Sequence, residues 1–223
     1  PGAILASNTS YLDLDEIAGT TSRPEDVVGL HFFSPAHVMR LLEIVVGAKT
    51  DKRVTATAFS LAKRLRKIGV KSRVCDGFIG NRILAHYRKT AAYLVLDGAS
   101  PQEVDRALEE FGFAMGPHKV GDLAGLDIDW MTRQRKALKR PEEERYYGNV
   151  ADRICEKGWF GCKSGKGYYL YDTNNPLPNP EVATIITEER QKARITPKPI
   201  AASDIVDRYM TAMISEAVGV LED

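Results

Sequence analysis

His31 stands inside the apolar run Val27-Val28-Gly29-Leu30-His31-Phe32-Phe33, and Glu43 is the only charged residue of a second run, 41–46. A histidine in such a run has two readings, a core ring hydrogen-bonded to backbone or a general base. If the runs are antiparallel strands around a loop centred near His37, residues 31 and 43 lie directly opposite, with Cβ atoms about 4.5–5.5 Å apart. A buried carboxylate beside a buried imidazole fixes the ring tautomer and leaves the distal nitrogen as the proton acceptor. One residue of slip would put the two side chains on opposite faces.

Other polar groups cluster around that pair. Ser7-Asn8-Thr9-Ser10 follows a short apolar run at 3–6 and reads either as a turn or as a source of hydroxyls at a sheet edge. Ligands of open α/β sheets bind outside the carboxyl ends of the strands. Asn81 falls in the first turns of a helix, where asparagine lowers helix propensity, so it either caps or reaches a ligand. Lys163-Ser164-Gly165-Lys166-Gly167 lacks the Walker spacing and the strand–loop–helix context of a phosphate loop. The basic residues from Lys63 to Arg73 read as a solvated helix face. The four histidines and three cysteines show no metal-ligand spacing, so no metal site is expected.

The elements that must hold these groups change character along the chain. Strands are expected at 3–6, 27–33, 41–46 and 70–75, with a short helix capped by Asp13 and an amphipathic helix at 52–68 closed by Gly69. From 76 onward the pattern is helical: 78–97, then a helix opened by Ser100-Pro101 and closed by Gly112, then 117–138 and 149–158. The stretch 139–148 reads as a charged loop. Residues 172–180 read as a linker, followed by a polar helix at 181–193 and a proline break at Pro197 and Pro199. Ser203 or Asp204 caps a last helix whose apolar stripe runs from Ile205 to Leu221.

With 43% apolar and 27% charged residues in 223, the chain is globular in composition, which excludes a disordered or collagen-like polymer. Lys plus Arg (31) balances Asp plus Glu (30), so there is no bulk attraction to nucleic acid or acidic membranes. No apolar run is long enough for a membrane span. Three cysteines outside any C-x-x-C favour a reducing compartment without disulfides.

Taken together, SNTS (7–10), GLHFFSP (29–35), LLEIV (41–45), DGFIGNR (76–82), MGPHKVGDLAGLD (115–127) and KSGKGYYLYD (163–172) resemble the NAD-dependent 3-hydroxyacyl-CoA dehydrogenase family. The resemblance implies an α/β plus all-α fold. Residues 1–75 would be the C-terminal half of a Rossmann-type NAD domain. Residues 76–171 would be a helical substrate and dimerisation domain of the 6-phosphogluconate dehydrogenase C-terminal type. Residues 172–202 would be a linker and 203–223 the start of a second helical repeat, as in multifunctional fatty-acid β-oxidation enzymes. It also implies oxidation of (S)-3-hydroxyacyl-CoA to 3-oxoacyl-CoA with NAD as cofactor. His31 would be the base and Glu43 its orienting carboxylate. Ser10 and Asn81 would bind substrate, and Ser10, Ser34 and Lys163 would lie near the cofactor. The family usually has asparagine where Ser34 stands. No G-x-G-x-x-G turn is present, so the chain alone is expected to bind NAD poorly and to be inactive by itself. A homodimer through the helical part is expected. The location would be the bacterial cytoplasm, or a peroxisome or mitochondrion. The competing reading is a catalytically inactive helical dimerisation or docking fragment.

Overall fold

The computed structural model describes residues 2–137, 140–141, 143–172 and 175–222, so Pro1, the last residue of the expected 117–138 helix, residues 139 and 142 of the expected loop, two linker residues and Asp223 lie outside the described residues. The chain divides into two units, Pro1–Ala85 with Glu216–Asp223, and His86–Ser215.

Unit 1 is built on a four-stranded sheet in the order β1-β2-β3-β4: β1 (Leu5–Ser7), β2 (Val27–Phe32), β3 (Leu41–Val45) and β4 (Ile68–Ser72). The outer pairs are parallel and the central β2–β3 pair is antiparallel. Alternation along β2 and β3 sorts the two faces. Val28, Leu42 and Ile44 pack with Val54, Ala58 and Ala62 of α2 (Lys52–Arg64). On the other face Val27 and Val45 pack with Leu14 and Ala18 of α1 (Leu14–Gly19), which is capped by the Asp13 side chain as expected.

The amphipathic helix ends earlier than its periodicity suggested. Arg66, at φ 56, takes the left-handed position that Gly69 was expected to fill. The amides of Arg66 and Lys67 bond back to Lys63 and Ala62, which completes a Schellman closure. That moves the last strand to 68–72 and places Gly69 within it. A Cβ there would stand 3.2 Å from Ala62, Ile44 and Phe59, so the missing side chain lets α2 lie close on β4.

Unit 2 is helical. α3 (Gly80–Asp97) begins in unit 1 and continues into it, followed by α4 (Pro101–Phe111), α5 (Pro117–Ala124), α6 (Leu126–Ala137) and α7 (Asn149–Glu156). Ser100 and Glu103 form a reciprocal capping box on α4. The single helix expected over 117–138 is two, because Gly125 at φ 97 breaks it. A short β5 (Tyr169–Leu170) pairs with β6 (Leu177–Pro178), and α8 (Pro180–Lys192) follows. Where a linker and a polar helix were expected, Val182, Ile185 and Ile186 of α8 are buried in the same core as Leu94, Leu108 and Ile154. α9 (Ala202–Glu222) starts one residue before Ser203 and two before Asp204, the two expected caps, and its Ile205 and Tyr209 complete that core. Cys75, Cys155 and Cys162 are free thiols. Among the described residues no helix is long and apolar enough to cross a membrane.

A buried polar cluster ties the segments of unit 2 together. Asp122 accepts hydrogen bonds from the Tyr168 and Tyr169 amides and the Tyr171 hydroxyl. Burial nevertheless pushes its carboxyl up to about 6. A carboxyl that holds its proton to higher pH in the folded chain than in the unfolded one stabilises the fold below the ordinary aspartate pKa. That contribution, up to about 3 kcal/mol, is lost as pH rises from about 4 through about 6. Thermal melts of wild type and Asp122→Asn from about pH 4 to 7 should therefore show the balance shifting toward the variant as pH rises.

Candidate active site

The β2–β3 pair is antiparallel and its register places His31 opposite Glu43, the condition on which the sequence reading rested. Both side chains are buried, and Nδ1 of His31 lies 2.5 Å from Oε2 of Glu43. A carboxylate offers only acceptors, so the ring proton sits on Nδ1 and Nε2 carries the free lone pair.

The second glutamate oxygen has a different anchor. Oε1 accepts from the Ile79 amide at 3.1 Å and the Gly80 amide at 2.7 Å, at the N-terminus of α3. The first amides of a helix have no partners within it, and the helix dipole favours negative charge there. Ile79 has no side-chain acceptor to cap its own helix, so Glu43 does so from the sheet. The preceding turn is tightly set: Gly77 has φ 81 and Phe78 φ 52, and the Arg82 amide closes back onto the Gly77 carbonyl at 3.1 Å.

Two aromatic rings fix the imidazole from its sides. The Phe33 ring lies 4.6 Å from that of His31 and the Phe78 ring 5.6 Å, both tilted. Gly80 is what lets Phe33 fit. A Cβ at position 80 would stand 2.8 Å from the tip of the Phe33 ring and 3.4 Å from Glu43 Oε1.

The other expected site residues divide by unit. Asn8 Oδ1 accepts from the Phe32 amide at 2.9 Å, which sets Asn8 beside the end of β2, and Ser10, two residues on, is half-buried. Ser34 is exposed and precedes a cis peptide bond to Pro35. Asn81 is half-buried in the first turn of α3, directly after the amides that hold Glu43. Lys163 belongs to unit 2, where it is exposed and paired with Asp127. Among the described residues no group of three or more metal-ligating side chains occurs.

Sequence reasoning missed the helix-terminal anchor of Glu43, the two rings and Asn8. The Gly77-Phe78-Ile79-Gly80 stretch was the available signal, since a helix that starts without a Ser, Thr, Asp or Asn cap needs an acceptor from elsewhere. It also missed a second histidine–carboxylate pair. His118 Nδ1 lies 3.0 Å from Asp105 Oδ1, and the Asp105 oxygens also accept from the His118 and Lys119 amides and the Tyr169 hydroxyl. Burial raises the Asp105 carboxyl, but the charge of His118 and these hydrogen bonds outweigh it and leave it below the ordinary aspartate value. Asp105 thus caps α5 from α4, and the pair serves packing between helices. Gly116 lets the two approach, since a Cβ there would fall 2.4 Å from the Asp105 backbone.

Comparison with known proteins follows the same division. Residues 1–75 match the family model for the NAD binding domain of 3-hydroxyacyl-CoA dehydrogenase, and residues 77–171 match the model for its C-terminal domain. The chain is 42% identical over 236 aligned positions to the peroxisomal bifunctional enzyme of Danio rerio, covering all of this chain and 33% of that protein. It is 36% identical to a fatty acid oxidation complex subunit alpha of Shewanella, over 99% of this chain and 31% of that one. The chain thus spans about a third of the length of these relatives. Among solved structures, the dehydrogenase part of a multifunctional enzyme from C. elegans superposes with TM-score 0.69 at 30% identity, over 98% of this chain and 49% of the other.

Gly80→Ala tests how the ring is held. Forcing Phe33 off His31 should cost about 1–3 kcal/mol of unit 1 stability, as overpacking in a filled core does. Denaturant unfolding followed by a probe in unit 1 reads it.

Proposed function

The chain belongs to the 3-hydroxyacyl-CoA dehydrogenase family, and on that premise we propose that it carries the proton-transfer machinery for oxidising (S)-3-hydroxyacyl-CoA to 3-oxoacyl-CoA in fatty-acid β-oxidation. The observation that carries this reading is the buried His31–Glu43 pair, with Nδ1 committed to the carboxylate at 2.5 Å. Nε2 of His31 takes the proton of the substrate 3-hydroxyl as the C3–H bond breaks and its electron pair leaves with the hydrogen. The C3–O bond becomes a carbonyl, and the proton stays on the imidazole until solvent removes it. Glu43 holds the ring in one tautomer and balances the imidazolium that forms, which a neutral neighbour would not do. Ser10 and Asn81 hydrogen-bond the reacting oxygen and the thioester side of the substrate.

NAD, when bound, accepts the hydride lost from C3. The polar residues that follow the carboxyl ends of the parallel strands β1 and β2, Ser10 and Ser34 among them, fit that role, since such ligands bind outside those ends. Lys163 is a further cofactor contact in this reading. The glycine-rich turn that would receive the pyrophosphate is not in this sequence, so this chain contributes the nicotinamide side of the site. Relatives named as a peroxisomal enzyme and as a bacterial fatty acid oxidation subunit support a setting in the peroxisome or in a bacterial cell for the reaction. Self-association rests on Leu123, Ile128 and Met131, exposed apolar residues of α5 and α6. An inactive docking fragment would self-associate in sedimentation without any turnover.

The decisive comparison uses NADH oxidation by acetoacetyl-CoA in a protein that joins this chain to a whole NAD-binding domain. His31→Ala should lower turnover roughly 10²- to 10⁴-fold with its melting temperature nearly unchanged. His118→Ala should do the reverse, lowering stability and leaving turnover within a few-fold. Turnover of His31→Ala within about tenfold of wild type would contradict the assignment.

A further inference from the structure

We propose that Glu216, near the end of α9, is a positioning residue for the His31–Glu43 pair and acts through the first turn of α3; this rests on the dehydrogenase reading above. Position 216 lies well past residue 171, where the match to the family's C-terminal domain ends. Even so, residues 216–223 belong to unit 1 with the catalytic pair.

The link runs through Arg82. Its Nε donates to Glu216 Oε1, with side-chain exposures of only 23% and 13%, so this pair is far more withdrawn from water than a surface ion pair. The α9 backbone presses close to the guanidinium. A Cβ built at Gly219 would stand 3.7 Å from Arg82 Nη2. At its other end Arg82 closes the turn that aims the helix, since its amide bonds to the Gly77 carbonyl at 3.1 Å. A Cβ at Gly77 would lie 2.9 Å from that same amide nitrogen. Ile79 and Gly80, whose amides hold Glu43, lie within this turn, and so do Phe78, against His31, and Asn81. One residue is thereby fixed at both ends: its backbone shapes the turn and its side chain is tied to α9. A cation in the first turn also opposes the helix dipole, and the Glu216 carboxylate offsets that charge. Without Glu216 the guanidinium loses its tie to α9, the turn loosens, and the amides on Glu43 Oε1 lose their aim.

The readout is the low-field proton NMR resonance of the hydrogen shared by His31 Nδ1 and Glu43 in the full 223-residue chain. Wild type should show it. Glu216→Gln should move it upfield and speed its exchange with water, while the backbone amide spectrum of unit 1 stays folded. The reversed pair, Arg82→Glu with Glu216→Arg, should restore both position and exchange rate. An unchanged resonance in folded Glu216→Gln overturns the proposal. So does a reversed pair that folds without restoring the resonance, and this second variant decides the matter if Glu216→Gln does not fold. A folded wild-type chain lacking the resonance would overturn the proposal at its premise, the paired histidine, whereas failure at Glu216 alone leaves that premise standing.

Discussion

A carboxylate shut away from water in the middle of β3 must find all of its partners within the protein, and Glu43 finds them in two distant stretches of chain. One oxygen meets the ring of His31 on the neighbouring strand, and the other meets the first amides of α3. Burying such a charge costs several kcal/mol. Three charge-assisted hydrogen bonds, each worth about 1.5–3 kcal/mol, are of the size needed to offset it. The sheet register, the entry angle of α3 and the orientation of His31 are therefore one constraint. Any of them can shift only by leaving part of the carboxylate unpaired.

Small residues allow this convergence. Gly80 leaves room for the Phe33 ring, and Gly77 lets the turn before α3 fold back on the Arg82 amide. The same arrangement recurs in unit 2, where Asp105 caps α5 across Gly116 and holds His118. The two pairs are nearly equal in burial and differ in place. His31 is near the carboxyl end of the strand β2, whereas Asp105 lies on α4 and His118 in the first turn of α5, within the helical unit. Location in the fold, rather than the presence of a histidine–carboxylate bond, is the ground for proposing one pair as reactive and the other as structural.

Much of this was legible in the residues. A lone histidine and a lone glutamate in two apolar runs suggested the pairing, conditional on a hairpin centred near His37, and the observed register meets that condition. The Asp13 and Ser100 caps and the switch from strands to helices after residue 75 followed from local chemistry. The errors arose where tertiary contacts overrode local pattern. Arg66 accepted a left-handed conformation that local preference assigns to glycine, and Gly69 was spent on a close helix–strand approach. Gly125 divided a helix that periodicity alone had run together. α8 looked polar along its length, yet Val182, Ile185 and Ile186 share one face and enter the core. The amides on Glu43 were invisible because backbone groups leave no mark in a sequence beyond the missing cap.

The central claim is that His31 presents Nε2 to the oxygen on C3 of the substrate. A crystal structure of the chain, joined to a whole NAD-binding domain, with a bound 3-oxoacyl-CoA tests it most directly. The account predicts the C3 oxygen within hydrogen-bond reach of Nε2, about 2.6–3.2 Å, with the Nδ1–Glu43 bond intact. A substrate whose C3 oxygen lies elsewhere, with His31 still enclosed by Phe33 and Phe78, would contradict it.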